Sequence, residues 1–212
     1  MLYDFAKRAL DIVGSLVGLI LLFPLLIVVG LAVKLSSQGP VLVEASSRVG
    51  KNNKIFRMYK FRTMVAGAHK LIRTDPKMKE VFEEYKKSSF KLKKDPRVTQ
   101  LGKFLRKSSL DELPQFLNVL KSEMSLVGPR AFYPDELTEN KKRYPQTLPD
   151  IEEALKVKPG ITGLWQVSGR SKIGFTRRIK MDAHYARFHS LTLDLKILLK
   201  TPFVVLKRDG VY

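Results

Sequence analysis

The chain has 212 residues and a formal net charge of +19, with 39 lysines and arginines against 20 acidic residues. That length holds one domain with a sizeable core, or one domain and an anchor; the absence of cysteine excludes a disulfide framework and a thiolate metal site. The three histidines, His69, His184 and His189, lack the H-x-x-x-H spacing of a histidine zinc site.

The first element is apolar. Residues 12–33 carry no formal charge and as a straight helix reach about 33 Å, enough for a bilayer core. Such a run is too long for the apolar region of a cleaved signal peptide. Pro24, near its middle, removes a backbone donor and kinks the helix. Lys7 and Arg8 precede the run and Lys34 follows it; because Asp4 and Asp11 cancel the first two, the whole charge excess falls after residue 33. The positive-inside rule keeps both basic flanks on the cytosolic side. A re-entrant helix-break-helix that enters and leaves one leaflet satisfies both flanks. An ordinary span kinked at proline is the other arrangement open to the sequence. The predicted division is an anchor over residues 1–36 and a domain over 37–212.

Ser36-Ser37-Gln38-Gly39-Pro40 is a turn-rich exit. Val41-Leu42-Val43 predicts a short strand and residues 48–54 a hairpin turn. Residues 55–62 alternate apolar and basic, predicting a half-buried strand with Lys60 and Arg62 on one face and Phe61 on the other. Residues 66–94 read as charged helix, with Asp75-Pro76 as N-cap and first helical position, a device repeated at Asp95-Pro96. After a basic amphipathic stretch at 102–107, Ser109-x-x-Glu112 has the form of a capping box, and Pro114 is a competing start signal. Either start places Asp111 and Glu112 at a helix N-terminus, with Leu113, Phe116, Leu117 and Leu120 on the buried stripe. A turn at 125–130 and a glycine-punctuated loop at 158–170 follow. One or two amphipathic helices across 175–206, interrupted at Thr201-Pro202, complete a helix-rich α+β chain. With Lys196, Lys200, Lys207 and Arg208 they suit a membrane interface or a packed core.

Asp111-Glu112 is the sharpest chemical feature. Acids in a first turn are favoured by the helix dipole, which is reason enough for a structural role. Arg106 and Lys107 lie one turn upstream, however. A carboxylate among cations also suits a Mg²⁺ ligand, since that ion takes one or two carboxylates plus substrate phosphates, or a nucleophile toward phosphorus. Arg62, Arg106, Arg130 and Arg170 each sit beside a turn or strand end, where a guanidinium fork can match phosphate oxygens. Trp165, the only tryptophan, suits base stacking, the headgroup level or the core. No G-x-x-x-x-G-K-[ST], G-x-G-x-x-G or G-x-S-x-G is present. The charge favours anionic partners, whether phosphorylated small molecules, anionic lipid or nucleic acid. Two readings therefore stand: an enzyme acting on phosphates, and a membrane-tethered basic module binding nucleic acid or anionic lipid. Against the second, two acids amid the cations weaken phosphate-backbone binding, and the aromatics do not interleave with basic residues.

The strings Tyr59-Lys60-Phe61-Arg62-Thr63-Met64, Ser109-Leu110-Asp111-Glu112-Leu113-Pro114-Gln115, Ser125-Leu126-Val127-Gly128-Pro129-Arg130 and Lys158-Pro159-Gly160-Ile161-Thr162-Gly163-Leu164-Trp165-Gln166-Val167-Ser168-Gly169-Arg170, followed by Leu193-Asp194-Leu195-Lys196-Ile197-Leu198, occur in that order. Together they resemble the bacterial sugar transferase family, the monotopic phosphoglycosyl transferases, in its minimal form. The similarity runs from Lys7 to Tyr212. It implies a re-entrant anchor broken at Pro24 in the bacterial inner membrane, a catalytic domain on the cytosolic face and interfacial amphipathic helices in contact with membrane lipid. It implies Mg²⁺, a UDP-sugar donor, undecaprenyl (polyprenyl) phosphate as acceptor and no nucleic acid. The implied reaction moves a phosphosugar to the lipid and releases UMP, as the first membrane step of a glycan pathway. Asp111 is implied as nucleophile and metal ligand, with Glu112 as its partner, and phosphate or nucleotide contact is implied for Lys60, Arg106, Arg130 and Arg170. Two departures stand out. The chain has Pro129-Arg130-Ala131 where the family reads Pro-Arg-Pro, and the segment Val43-Glu44-Ala45-Ser46-Ser47-Arg48 lacks the usual glutamine and is one residue longer.

Overall fold

A computed structural model describes residues 2–43, 47–87, 92 and 94–207. Glu44, Ala45 and Ser46 of the departing segment, and Arg208, lie outside the described residues.

Helix α1, Leu2–Ser36, is one helix that runs through Pro24. At 1.5 Å per residue it is about 52 Å long, and it is long and apolar enough to cross a membrane. Both of its ends are fastened to the rest of the chain. Near the N-terminus, Lys7 pairs with Asp194 at 2.9 Å and donates to the Val127 carbonyl at 3.1 Å. Arg8 donates to the carbonyls of Val119 and Leu120 at 2.7 and 2.8 Å, and Asp11 accepts from Ser125 Oγ and the Leu126 amide. Near the C-terminus, Val29 and Val33 pack on Phe61 and Leu105. Between Ser15 and Val29 no residue of the helix is buried, and Pro24 is exposed. Leu16, Val17, Ile20, Phe23, Ile27, Val28 and Leu31 leave an apolar stripe open along the outer face, at the three- and four-residue spacing of one helix side.

Strands β1 (Ser47–Val49) and β2 (Ile55–Arg57) form an antiparallel pair, with Arg48 opposite Phe56. Asn52 and Asn53, at φ of 54° and 61°, make the connecting turn. The strand expected over 55–62 is split. Asn118 intervenes: its Oδ1 accepts the Tyr59 amide at 2.8 Å and its Nδ2 donates to the Arg57 carbonyl at 2.7 Å. Past that break the chain pairs with the 41–43 segment instead, through a Leu42–Phe61 bridge. Helices α2 (Ala68–Thr74) and α3 (Lys79–Lys87) enclose a small core of Ile72, Tyr85 and Leu92. Asp75 caps as expected, accepting the Lys77 amide at 2.9 Å. Asp95 does not start a helix: its carboxylate is taken by buried Arg97, and Thr99 caps α4 (Gln100–Ser108).

Ser109, at φ 58°, ends α4 and makes no side-chain cap, so the expected capping box does not form. A tight 3-10 turn, Leu110–Gln115, holds Asp111 and Glu112 and leads into the short helix α5, Phe116–Leu120. The tighter turn changes which side faces inward. Pro114, Gln115, Asn118 and Val119 are buried, whereas Leu117 is exposed, contrary to the expected stripe. Parallel strands β3 (Ser125–Val127) and β4 (Gly160–Thr162) flank α6 (Pro134–Arg143) and α7 (Leu148–Ala154). The chain continues with α8, Phe175–Phe188, and α9, Leu191–Lys207. The interruption falls at 189–190, where the Ser190 carbonyl receives the Asp194 amide, and not at Pro202, which sits inside α9. Helix α9 buries Asp194 and Ile197 and exposes Leu195, Leu199, Phe203 and Leu206. It therefore has both of the faces the sequence allowed, one against the core and one apolar and open.

Candidate active site

The 3-10 turn is pinned to the neighbouring strand by the Phe61 amide, which donates to the Asp111 carbonyl at 2.9 Å. That bond brings Lys60 beside the acids, and its Nζ meets Glu112 Oε1 at 2.5 Å. Gly102 lets α4 approach the same strand, because a Cβ there would strike the Thr63 backbone. Arg106, on α4, donates through Nε to Thr63 Oγ1 at 3.0 Å. Arg130 and Arg170 come from the other side. Gly128 and Gly160 permit a close backbone crossing at β3 and β4, where the Gly160 amide donates to the Pro129 carbonyl at 2.9 Å. That crossing fixes the turn carrying Arg130. Gly169 at φ 149° and Arg170 at φ 50° form the second tight turn.

Electrostatics separate the two acids. Asp111 is only 7% exposed, and burial pushes its carboxyl up to about 6; the charges of Lys60 and Arg106 oppose that push and Glu112 adds to it. Burial also works against the Glu112 charge, but Lys60, Arg130 and Arg170 outweigh it and hold that carboxyl below the ordinary range. Asp111 is in no ion pair among the described residues, since Lys60 is engaged with Glu112 and Arg106 with Thr63. Its carboxylate is thus ionised at neutral pH and available, at the edge of a ring of cations.

The chain thus brings together Lys60, Arg106, Arg130, Arg170, Asp111 and Glu112. Arg62 departs from the expectation. It is buried, and its guanidinium donates to the carbonyls of Val33, Ser37 and Pro40 and to Ser37 Oγ. It caps the C-terminus of α1, where carbonyls lack partners and a positive charge is favoured. Trp165 is also buried, with Arg130 and Arg178 5.9 and 5.8 Å from its ring, so it belongs to the core and does not stack on a base. Sequence reasoning missed a set of buried charges behind Arg130: Glu136, Arg178 and Asp182, all under 5% exposed. Burial pushes the Asp182 carboxyl up to about 7 against the pull of Arg178 and Arg130. Nothing local marked these residues, which come from two helices far apart in the chain.

Among the described residues no cluster of three or more His, Asp or Glu side chains forms. Two adjacent carboxylates, one of them unpaired, nevertheless suit Mg²⁺, which keeps most of its shell for water and phosphate oxygens. Two adjacent acids, Asp111 facing Lys60 and Arg106 and Glu112 facing Lys60, Arg130 and Arg170, make a layout that suits phosphate groups.

The chain belongs to the bacterial sugar transferase family, which it matches over residues 2–208. It is 44% identical to the undecaprenyl-phosphate galactose phosphotransferase of Salmonella typhimurium, covering 98% of this chain and 42% of that protein. It is 40% identical to the UDP-glucose:undecaprenyl-phosphate glucose-1-phosphate transferase of Escherichia coli, covering 93% of this chain and 39% of that protein. It is likewise 40% identical to the exopolysaccharide production protein ExoY of Rhizobium meliloti, covering 97% and 88%. The chain therefore spans about two-fifths of the length of the first two of these relatives and most of the third.

Proposed function

We propose that this chain transfers a phosphosugar from a UDP-sugar to undecaprenyl phosphate, releasing UMP and leaving a polyprenyl-diphosphate-linked sugar. What carries the reading is the convergence of Lys60, Arg106, Arg130 and Arg170 on Asp111 and Glu112. Relatives named as undecaprenyl-phosphate sugar phosphotransferases support it. In the proposed sequence, an Asp111 carboxylate oxygen attacks the sugar-bearing phosphorus of the donor. The bond from that phosphorus to the bridging oxygen breaks, and UMP leaves with the electron pair. An oxygen of the lipid phosphate then attacks the same phosphorus and the acyl phosphate bond breaks, returning Asp111 to its carboxylate. Two steps avoid pressing a lipid phosphate directly against a pyrophosphate, and let one set of cations neutralise each anion in turn. Asp111, with Glu112 beside it, would hold Mg²⁺, which supplies charge neutralisation at the phosphates.

The membrane reading is a re-entrant, monotopic one at the inner membrane, with the catalytic domain on the cytosolic face. Its support is that both ends of α1 bind one domain and that the helix between them, unbroken at Pro24, leaves an apolar stripe open on its outer face. The open stripe of α9 adds an interfacial surface.

UMP release measured across a panel of UDP-sugars with undecaprenyl phosphate tests the reaction. Donor alone should release UMP and leave a phosphosugar adduct in the intact mass, absent from Asp111→Asn, and the kinetics should be ping-pong. Intersecting lines with no adduct would leave Asp111 a metal ligand only, and no turnover of any UDP-sugar would sink the reading. Cysteines introduced at residue 2 and on α6 should label from the same side of sealed vesicles; labelling from opposite sides would establish a true span.

A further inference from the structure

Glu136 lies on α6, away from the dyad, and its side chain is fully buried. Burying a carboxylate is costly unless cations and hydrogen-bond donors surround it. Three groups do. Arg178, itself 4% exposed, donates to Glu136 Oε1 at 3.3 Å; the Tyr133 amide donates to Oε2 at 3.3 Å; and Arg130 Nη2 stands 4.0 Å from Oε2. The first two are what a structural cap and a buried ion pair need. Arg130 is different, because its side chain is 24% exposed and its charge reaches Glu112 on the far side. Burial opposes the Glu136 charge, and the guanidinium of Arg130, then that of Arg178, overcomes it. One carboxylate is therefore shared between an arginine locked in the core and an arginine at the mouth of the site. Arg130 stands on a turn whose backbone is already fixed at Gly128 and Gly160, so its free variable is the direction of the guanidinium.

We infer that Glu136 is a positioning residue: its buried carboxylate holds the inner edge of the Arg130 guanidinium and so turns the outer edge toward phosphate groups beside Glu112. This rests on the phosphate-handling function proposed above, but not on which sugar is carried or on a covalent step. Arg178 holds Glu136 in turn, and touches no substrate.

The test is a double-mutant cycle on the full chain in lipid nanodiscs, read by calorimetric titration with UDP and by turnover of a UDP-sugar. Glu136→Gln keeps the shape and removes the charge. It should weaken UDP binding by about tenfold or more, the scale of one charge-assisted hydrogen bond, and Arg130→Gln should do the same. In the double variant the losses should not multiply, because Glu136 acts only through Arg130. Losses that multiply, or unchanged UDP affinity in Glu136→Gln, would mean a structural role and overturn the inference, as would a wild-type chain that does not bind UDP. If Glu136→Gln does not fold, Glu136→Gln/Arg178→Met removes both buried charges together. The folded double variant should still bind UDP more weakly than wild type; wild-type affinity in it would overturn the inference too. UDP binding that follows the cycle, without turnover of any UDP-sugar, would refute the proposed reaction and leave the positioning role standing.

Discussion

Asp194 and Asp111 are both buried acids near a lysine, and the protein treats them in opposite ways. Asp194, on α9, is completely buried and saturated: Lys7 at 2.9 Å, Tyr185 Oη at 2.6 Å and Tyr3 Oη at 3.1 Å all point at its carboxylate. It ties the start of α1 to α9 and, through Lys7 and the Val127 carbonyl, to β3. Asp111 has cations near it but no ion pair among the described residues, and its carboxyl sits high. A carboxylate held by three donors is a fastening; one held among charges without an ion pair is suited to be a reagent, the part proposed for Asp111. The same residue type suits both jobs because the donors around it differ.

The largest expected effect breaks the comparison on the reagent side. Asp111→Asn should lower turnover by about a thousandfold or more, since the nucleophile and the metal charge both disappear. Its stability should not fall. A folded-state pKa raised above the unfolded value means that ionising Asp111 costs stability, a cost that sets in as pH rises from the unfolded value through about 6. At pH 8 the neutral amide escapes that cost, so the melting temperature should hold or rise by a few degrees. A variant that melts well below wild type would show Asp111 to be a fastening after all.

Asp194→Asn should do the reverse. It leaves Lys7 and two hydroxyls facing an amide, and breaking a buried pair costs about 3 to 5 kcal/mol, or roughly 10 °C in a chain of this size. The protein that remains folded should turn over at close to the wild-type rate. A rate loss without a melting shift would move Asp194 into the chemistry.

Arg62→Met extends the contrast to cations. It removes the cap from α1 and should cost on the order of 2 to 3 kcal/mol, with little effect on the donor KM of the folded fraction. Arg130→Met should raise that KM with little effect on melting. Reversal of the two outcomes would mean that Arg62, and not Arg130, meets the donor.

The smallest effect is a shift along the pH axis. Turnover should fall as pH drops through about 6, where Asp111 takes up a proton, and bound Mg²⁺ should move that limb lower. Lys60 pulls the Asp111 carboxyl down, so Lys60→Met should move the limb to higher pH. A limb that stays in place would remove Lys60 from the electrostatics of Asp111.

Asp111 and Glu112 were legible in the chain because their signal is local: adjacent acids, a basic helix one turn upstream and a proline. The apolar run of α1, the hairpin turn at 48–54 and the Asp75 cap were legible for the same reason, since each depends on residues within a turn or two of one another. Periodicity failed where a side chain from elsewhere interrupted the pattern. Asn118 took the Tyr59 amide and the Arg57 carbonyl and ended the strand, and the 3-10 turn at Leu110–Gln115 rotated Leu117 outward.

The sequence by itself determined an apolar helix with basic flanks, a pair of acids on a turn, and a supply of arginines on tight loops, because side-chain chemistry and short-range spacing decide those. Only the tertiary structure decided which arginines meet the acids. Lys60 and Arg62 stand two positions apart, yet Lys60 reaches Glu112 while Arg62 is drawn to the open carbonyls of α1. Glu136 and Arg178 are 42 positions apart and meet in the core. Such pairings follow from which buried groups would otherwise lack partners once the elements pack, and that accounting exists only in three dimensions.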